Sequence, residues 1–344
     1  MKKIITVFMG VVLTVTLFAC KSNTKITPTA TATSTPTQTP GSGEISAWYK
    51  KIKTNVYGPL AVVETGGSYF YCATDGVYEY DKDSKESRQI ISDGADGLLL
   101  HKNDLYINLN DKIKMFDLDT REVKLVWEKS MLEGADEYFR IHDFEIHDGY
   151  LYIRSLANYE FRVNLENNQS EVFLNDVSHR VFDGENCLFT EHASKTFSIF
   201  SMDCETKEKT YLRGNRDEEM IDELLKVGDD IFYSVRFKGK IYKLNLIDGN
   251  DSVAITMDVP SGNDADLLDF IYTCQTDDLY YRISEGDGIK IYKYIGAEES
   301  VLVAEFNNRP KILAITESAI FYESDCEVGI KGLAPYSRHL SIWY

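Results

Sequence analysis

One short phrase recurs seven times along this chain and limits what it can fold into. Its copies begin Tyr69-Phe70-Tyr71, Leu105-Tyr106-Ile107, Leu151-Tyr152-Ile153, Leu188-Phe189-Thr190, Ile231-Phe232-Tyr233, Leu279-Tyr280-Tyr281 and Ile320-Phe321-Tyr322. The middle residue is always Tyr or Phe, and successive copies lie 36, 46, 37, 43, 48 and 41 residues apart. Most copies follow a polar turn such as "TGGS", "KND", "HDG" or "VGDD". A second phrase follows each first one: "VYEYD", "IKMFD", "EFRVN", "FSIFS", "IYKLN", "IYKYI" and finally "LSIWY". A polar turn and a third run, such as "EVKLVWE", come next, and an apolar run precedes each unit. Four short strands in roughly 42 residues is the pattern of a propeller blade. Runs such as "LYI" and "IFY" are apolar without alternation, which suits inner strands buried on both faces. The runs are short, aromatic and β-branched, which argues against helices.

The predicted fold is therefore all-β: a seven-bladed β-propeller over residues 44–344, with a six-bladed or open ring as the alternative. The last repeat reaches only its third strand, at Leu340–Tyr344. A blade without its outer strand leaves an open edge. The segment Ser46–Thr54 is expected to supply that strand and close the last blade from the N-terminal side. One stretch, Asn215–Leu225, reads as a helix, with Asn215 and Glu218 at capping-box spacing.

Two segments precede the repeats. Residues 1–19 join a basic start (Lys2, Lys3) to an apolar run, Ile4–Phe18, that is short for a membrane span. The run ends in Leu17-Phe18-Ala19-Cys20, which resembles a bacterial lipobox. That resemblance implies signal-peptide removal, thioether lipidation of Cys20 and a lipid anchor at the outer face of the cell membrane. Residues 20–43 continue as a Thr-, Ser- and Pro-rich stretch that cannot bury a core and reads as a disordered tether. Taken with the repeats, the chain resembles the β-propeller lipoproteins of Gram-positive bacteria. Nothing catalytic carries over from that resemblance. The Gly-His and Trp-Asp signatures, the Asp-box and the Trp docking motif of other propeller classes do not occur.

The net charge is −18, and the four lysines ahead of residue 44 make the remainder more acidic still. Such a surface repels nucleic acid. It suits cations or basic partners, and a monomer is expected. Three loops between repeats share Ala-Asp just before an inner strand, placing Asp96, Asp136 and Asp266 in one register. Clustered carboxylates raise one another's pKa or recruit a cation, so an acidic funnel for Ca²⁺ or a cationic ligand is one expectation. A solvated rim is the plain alternative. The segment Ser324–Arg338 reads as the longest loop, a lid offering Asp325, Glu327 and Tyr336. The six histidines are scattered, and His142 and His147, five apart on a strand, face opposite ways. Five cysteines remain after Cys20. Cys187 and Cys204 flank one hairpin, where a disulfide is conceivable if the register permits. The leading functional expectation is non-enzymatic: a membrane-anchored scaffold binding a protein or small ligand. A glycan-acting hydrolase or lyase and a regulatory sensor are the alternatives.

Overall fold

Each aromatic phrase forms the second strand of an antiparallel meander. The structure is a computed structural model. It describes residues 47–56, 58–132, 139–156, 159–175, 177–193, 196–213, 221–235, 240–246, 251–256, 268–270, 278–285, 287–296 and 299–333. Blade 1 comprises β1 (Val62–Glu64), β2 (Ser68–Ala73), β3 (Gly76–Asp81) and β4 (Ser87–Ile91). Blade 2 comprises β5 (Gly97–His101), β6 (Asp104–Asn108), β7 (Lys112–Asp117) and β8 (Val123–Glu128). Blade 3 is β9 (Ile141–His147), β10 (Tyr150–Ser155), β11 (Glu160–Asn164) and β12 (Ser170–Leu174). Blade 4 is β13 (Val177–Asp183), β14 (Asn186–Ala193), β15 (Thr196–Asp203) and β16 (Lys209–Arg213). Blade 5 holds β17 (Ile221–Val227), β18 (Asp230–Val235), β19 (Lys240–Leu244) and β20 (Asp251–Thr256). Blade 6 holds β21 (Leu268–Phe270), β22 (Tyr280–Glu285), β23 (Gly288–Gly296) and β24 (Glu299–Phe306). Blade 7 has β25 (Lys311–Ile315), β26 (Ala319–Ser324) and β27 (Glu327–Gly332) among the described residues. The chain is a seven-bladed β-propeller.

The seven central aromatics, Phe70, Tyr106, Tyr152, Phe189, Phe232, Tyr280 and Phe321, are all buried. They are buried because each blade stacks on its neighbours. Tyr152 packs with Phe182 and Cys187 of blade 4, and Phe232 with Leu279 and Tyr281 of blade 6. Phe321 of blade 7 joins Phe70 and Leu105 in the cluster that spans blades 7, 1 and 2. No blade could bury both faces alone, so each seam is a piece of core. In blades 1 to 6 a bulge interrupts the pairing of the third strand with the fourth, after Val77, Ile113, Glu160, Ile199, Ile241 and Ile291. A bulge increases twist, which turns the outer strand away from the axis.

The turns between the third and fourth strands repeat to atomic detail in blades 1 to 4. The Oδ1 atoms of Asp81, Asp117, Asn164 and Asp203 accept backbone N–H groups two and three residues on. The backbone N–H of Ser84, Thr120 and Thr206 is the main reason the three aspartates titrate below their usual 3.8. A lowered folded pKa gives stability that is present above 3.8 and lost as pH falls through the folded value. Asn164 makes the same bonds without a charge. Replacing Asp117 with Asn is therefore expected to leave the urea midpoint unchanged at pH 7. At pH 3 the variant should outlast the parent. A midpoint lower than the parent's at both pH values would show that the charge itself holds the turn.

Three sequence expectations change. Ser46–Thr54 does help close the ring, but not as a strand. Residues Ala47–Lys51 form a 3-10 turn and Ile52 bridges Ala73 of blade 1. Trp48 is the wedge, packed on Tyr69, Tyr71 and Tyr80 of blade 1 and Phe321 of blade 7. Of the predicted helix, the described residues from Ile221 form strand β17, while 215–220, with Asn215 and Glu218, lie outside the described residues. A bulge between Ile221 and Glu223 separates the buried Ile221 and Leu224 by three residues, which mimics a helical period. The long loop after Ser324 is instead a two-residue hairpin turn. Asp325 and Cys326 have φ of 51° and 63°, the left-handed pair that matches strand twist, and Ser324 pairs with Glu327. The third strand of blade 7 is thus β27, and Leu340–Tyr344 lies outside the described residues.

Candidate functional site

In an antiparallel meander, the start of the first strand and the turn between the second and third share one end. In a propeller that end surrounds the channel mouth. Asp96 sits there, beside Gly97 at the start of β5. Its side chain is buried and forms an ion pair with Lys53, whose Nζ also donates to Ala95 O at 3.2 Å. Asp96 therefore anchors the N-terminal segment, and its charge is already answered. Asp93 is exposed and paired with Lys114 at 3.0 Å. Asp136, Asp266 and Tyr336 lie outside the described residues, as does Cys20. Asp325 forms the exposed hairpin turn, with Ser324 Oγ donating to its Oδ2 at 3.3 Å, and Glu327 begins β27. A lid built from these residues is not what the chain forms there.

Among the described residues, a dense charge cluster joins blades 3 and 4. Arg180 of β13 is ion-paired to Glu145 of β9 and to Glu160 of β11, and its side chain is 3% exposed. Arg154 of β10 pairs across the strand with Asp143, Nη2 to Oδ2 at 3.4 Å. Burial lifts the Glu160 carboxyl above its usual range, against the pull of Arg180. Burial alone would push the Arg180 guanidinium down, but Glu160, Glu145 and Asp143 outweigh it and keep the charge on. The guanidinium also lies 5.1 Å from the Phe182 ring centroid. Its centre is rigid because separating Arg180 from Glu160 leaves a charge in a dry site.

This cluster was missed by motif reading, although the repeat carried a signal for it. Glu160 stands where Val77, Ile113, Ile199, Ile241 and Ile291 stand in the other blades, at the residue before the bulge. Arg180 opposes the central aromatic Phe189, where Val63, Leu99 and Leu225 oppose theirs; blade 3 also departs, with Glu145 opposite Tyr152. A charge at a position apolar in the other repeats must have a partner. The partner here is the matching exception in the next blade.

The remaining candidates are structural. Cys187 and Cys204 are both free thiols. Cys187 opposes Met202, whereas Cys204 bonds back to Glu185, so the two lie on a diagonal of the hairpin. Diagonal positions are roughly 7–8 Å apart, too far for a disulfide without backbone movement. Burial pushes the Cys72 thiol up to about 12 and the Cys187 thiol well above its usual value. Neither supplies a thiolate nucleophile near neutral pH. His147 stacks on Phe182 with ring centroids 4.5 Å apart, and its Nε2 lies 2.7 Å from Gly184 O. Among the described residues, no group of His, Cys, Asp and Glu gathers as a metal site.

No family model matches the chain, and no curated protein matches its sequence. Its fold does have counterparts. A chain of the mitotic checkpoint complex superposes with a TM-score of 0.56 at 11% identity, over 83% of this chain and 93% of that one. PorZ, a surface component of the type-IX secretion system of Porphyromonas gingivalis, gives 0.55 at 15% identity. That match covers 83% of this chain and 39% of PorZ. An oligogalacturonate lyase in complex with manganese gives 0.54 at 12% identity, over 78% and 87% of the two chains. At these identities the likeness is one of fold alone.

Proposed function

We propose that the chain is a membrane-anchored binding scaffold, held by a lipid on Cys20 at the outer face of the cell membrane. It offers a rigid propeller to a protein or small ligand. The observation that supports this reading is the mutual pairing of charges within and between elements. Arg180 with Glu145 and Glu160, Arg154 with Asp143, and Lys53 with Asp96 tie neighbouring elements together, a framework fixed before any partner arrives. Preorganisation lowers the ordering cost of binding. Catalysis instead needs groups free to accept or donate protons. Asp96 is not free, and the Cys72 and Cys187 thiols keep their protons. The superposition on a chain of the mitotic checkpoint complex, itself a protein assembly, agrees with use of this fold as a platform.

The test is fractionation of cells producing the full chain or its Cys20→Ser form. The parent should sediment with membranes and the variant should be soluble, with a diacylglycerol-modified peptide only in the parent. A soluble parent ends the anchored reading. For the scaffold itself, a ligand at 100 times its Kd should add roughly 2.7 kcal/mol of stability. If Ca²⁺ gives such a shift, the carboxylates responsible are not Asp96, because its partner is Lys53.

A further inference from the structure

The repeated turns of blades 1 to 4 differ in charge at two adjacent positions. Two residues of each turn read Lys85-Glu86, Arg121-Glu122 and Lys207-Glu208 in blades 1, 2 and 4. Blade 3 has Asn168-Gln169 at the same positions. The backbone is unchanged: Lys85, Arg121, Asn168 and Lys207 have φ of 62°, 64°, 59° and 63°. The consequence lies in the side chains. Arg121 reaches back past the Phe116 ring to Glu79 of blade 1. Lys207 lies 4.4 Å from the Phe173 ring centroid and 3.5 Å from Glu171 of blade 3. Each fastens the rim between its own blade and the one before. Asn168 is too short and uncharged to do so.

A second departure falls at the same seam. The connection after β8 carries a 3-10 turn at Lys129–Met131. The carbonyl of Met131 accepts a hydrogen bond from Ser170 Oγ at 3.1 Å, which brings this turn against blade 3. An open groove of about 720 Å³ lies there, with Met131 and Leu132 from the blade 2 side and Asn168, Gln169 and Val172 from blade 3; Arg162 and Glu171 of blade 3 line it too, but their charges are paired to each other. In repeat proteins, departures of single repeats from the common unit often fall on the binding face.

We propose that this rim groove binds an uncharged oligosaccharide. A side-chain amide both donates and accepts, which matches paired sugar hydroxyls. The Lys/Arg-Glu pairs of the other turns have been exchanged here for two groups that carry no charge. Asn168 and Gln169 are exposed, and no hydrogen bond engages their side-chain amides among the described residues. Met131 and Val172 are 39% and 52% exposed and supply apolar contact for the C–H faces of sugar rings. An open groove with exposed amides suits sugar hydroxyls better than a compact apolar molecule. This proposal does not depend on what the channel face binds.

The test is calorimetric titration of the purified protein with chitohexaose, maltohexaose and polygalacturonate. The Asn168→Lys/Gln169→Glu double variant copies the Lys207-Glu208 pair, which already tolerates the same backbone. The parent should bind at least one neutral hexasaccharide. The double variant should bind it at least about tenfold more weakly, with an unchanged melting temperature. A Gln169→Ala variant, which touches no backbone requirement, should weaken binding by about threefold. The proposal falls if neither neutral hexasaccharide binds the parent, if only polygalacturonate binds, or if both variants bind as the parent does.

Discussion

Changing Trp48 to alanine is expected to cost the propeller about 3–5 kcal/mol, the range for removing a large buried aromatic. The indole is 5% exposed, with ring centroids 5.3 Å from Tyr69, 4.7 Å from Tyr80, 5.0 Å from Tyr71 and 5.8 Å from Phe321. Three of those rings belong to blade 1 and one to blade 7, so the cavity would open at the seam where the ring closes. The other ties there include the contact of Tyr69 with Phe321, ring centroids 5.5 Å apart, and polar bonds. Ser318 N–H donates to Glu64 Oε2 at 3.0 Å, and Lys311 Nζ donates to Thr54 O at 2.6 Å. Such bonds contribute about 1 kcal/mol each and cannot replace the lost packing. Hydrogen exchange should locate the damage. Amides of β1, β2, β26 and β27 should lose protection, while those of β14 and β15 keep it. Phenylalanine at 48 should recover most of the loss. A cost under 1 kcal/mol with evenly spread exchange would show that the ring is closed by something other than this wedge.

The architecture was legible because the propeller repeats its burial pattern. Phe70, Tyr106 and Tyr152 announce an inner strand each time, and the polar turns between strands are local chemistry. What the sequence hid was non-local. Trp48 reads as a strand residue in "SAWYKKIKT", and only the seam between blades 7 and 1 makes it a wedge. Ile221 and Leu224 read as helical because a bulge removes the two-residue period that marks a strand. Asp325 and Cys326 look like part of a long loop, yet both adopt the left-handed backbone of a tight turn. Asp96 looks like a ligand until Lys53, forty-three residues earlier, is seen beside it. Charge count alone cannot reveal such pairings in an acidic chain. Glu160 was the exception that could have been read, since an acid in a column of Val and Ile needs a reason.

That reason leads to the second large effect. Replacing Arg180 with methionine keeps much of the volume but leaves Glu160 buried without its cation. Breaking one side of a buried pair costs about 3–5 kcal/mol, whereas replacing both partners with apolar groups can be nearly neutral. The single Arg180→Met change should therefore be severe, and adding Glu160→Met should recover most of the loss. Glu145, with 42% of its side chain exposed, should matter less when changed to Gln. The pH dependence follows from the raised Glu160 pKa. The folded state holds that proton more tightly than the unfolded chain, so stability falls as pH rises from the usual 4.5 through the folded value. Removing Arg180 takes away the attraction that limits this shift, so the window widens upward. Urea unfolding of Arg180→Met should then show a larger deficit at pH 8 than at pH 5. Equal deficits at the two pH values would mean that Glu160 finds another cation or reaches water, and that blades 3 and 4 are joined by packing rather than by charge.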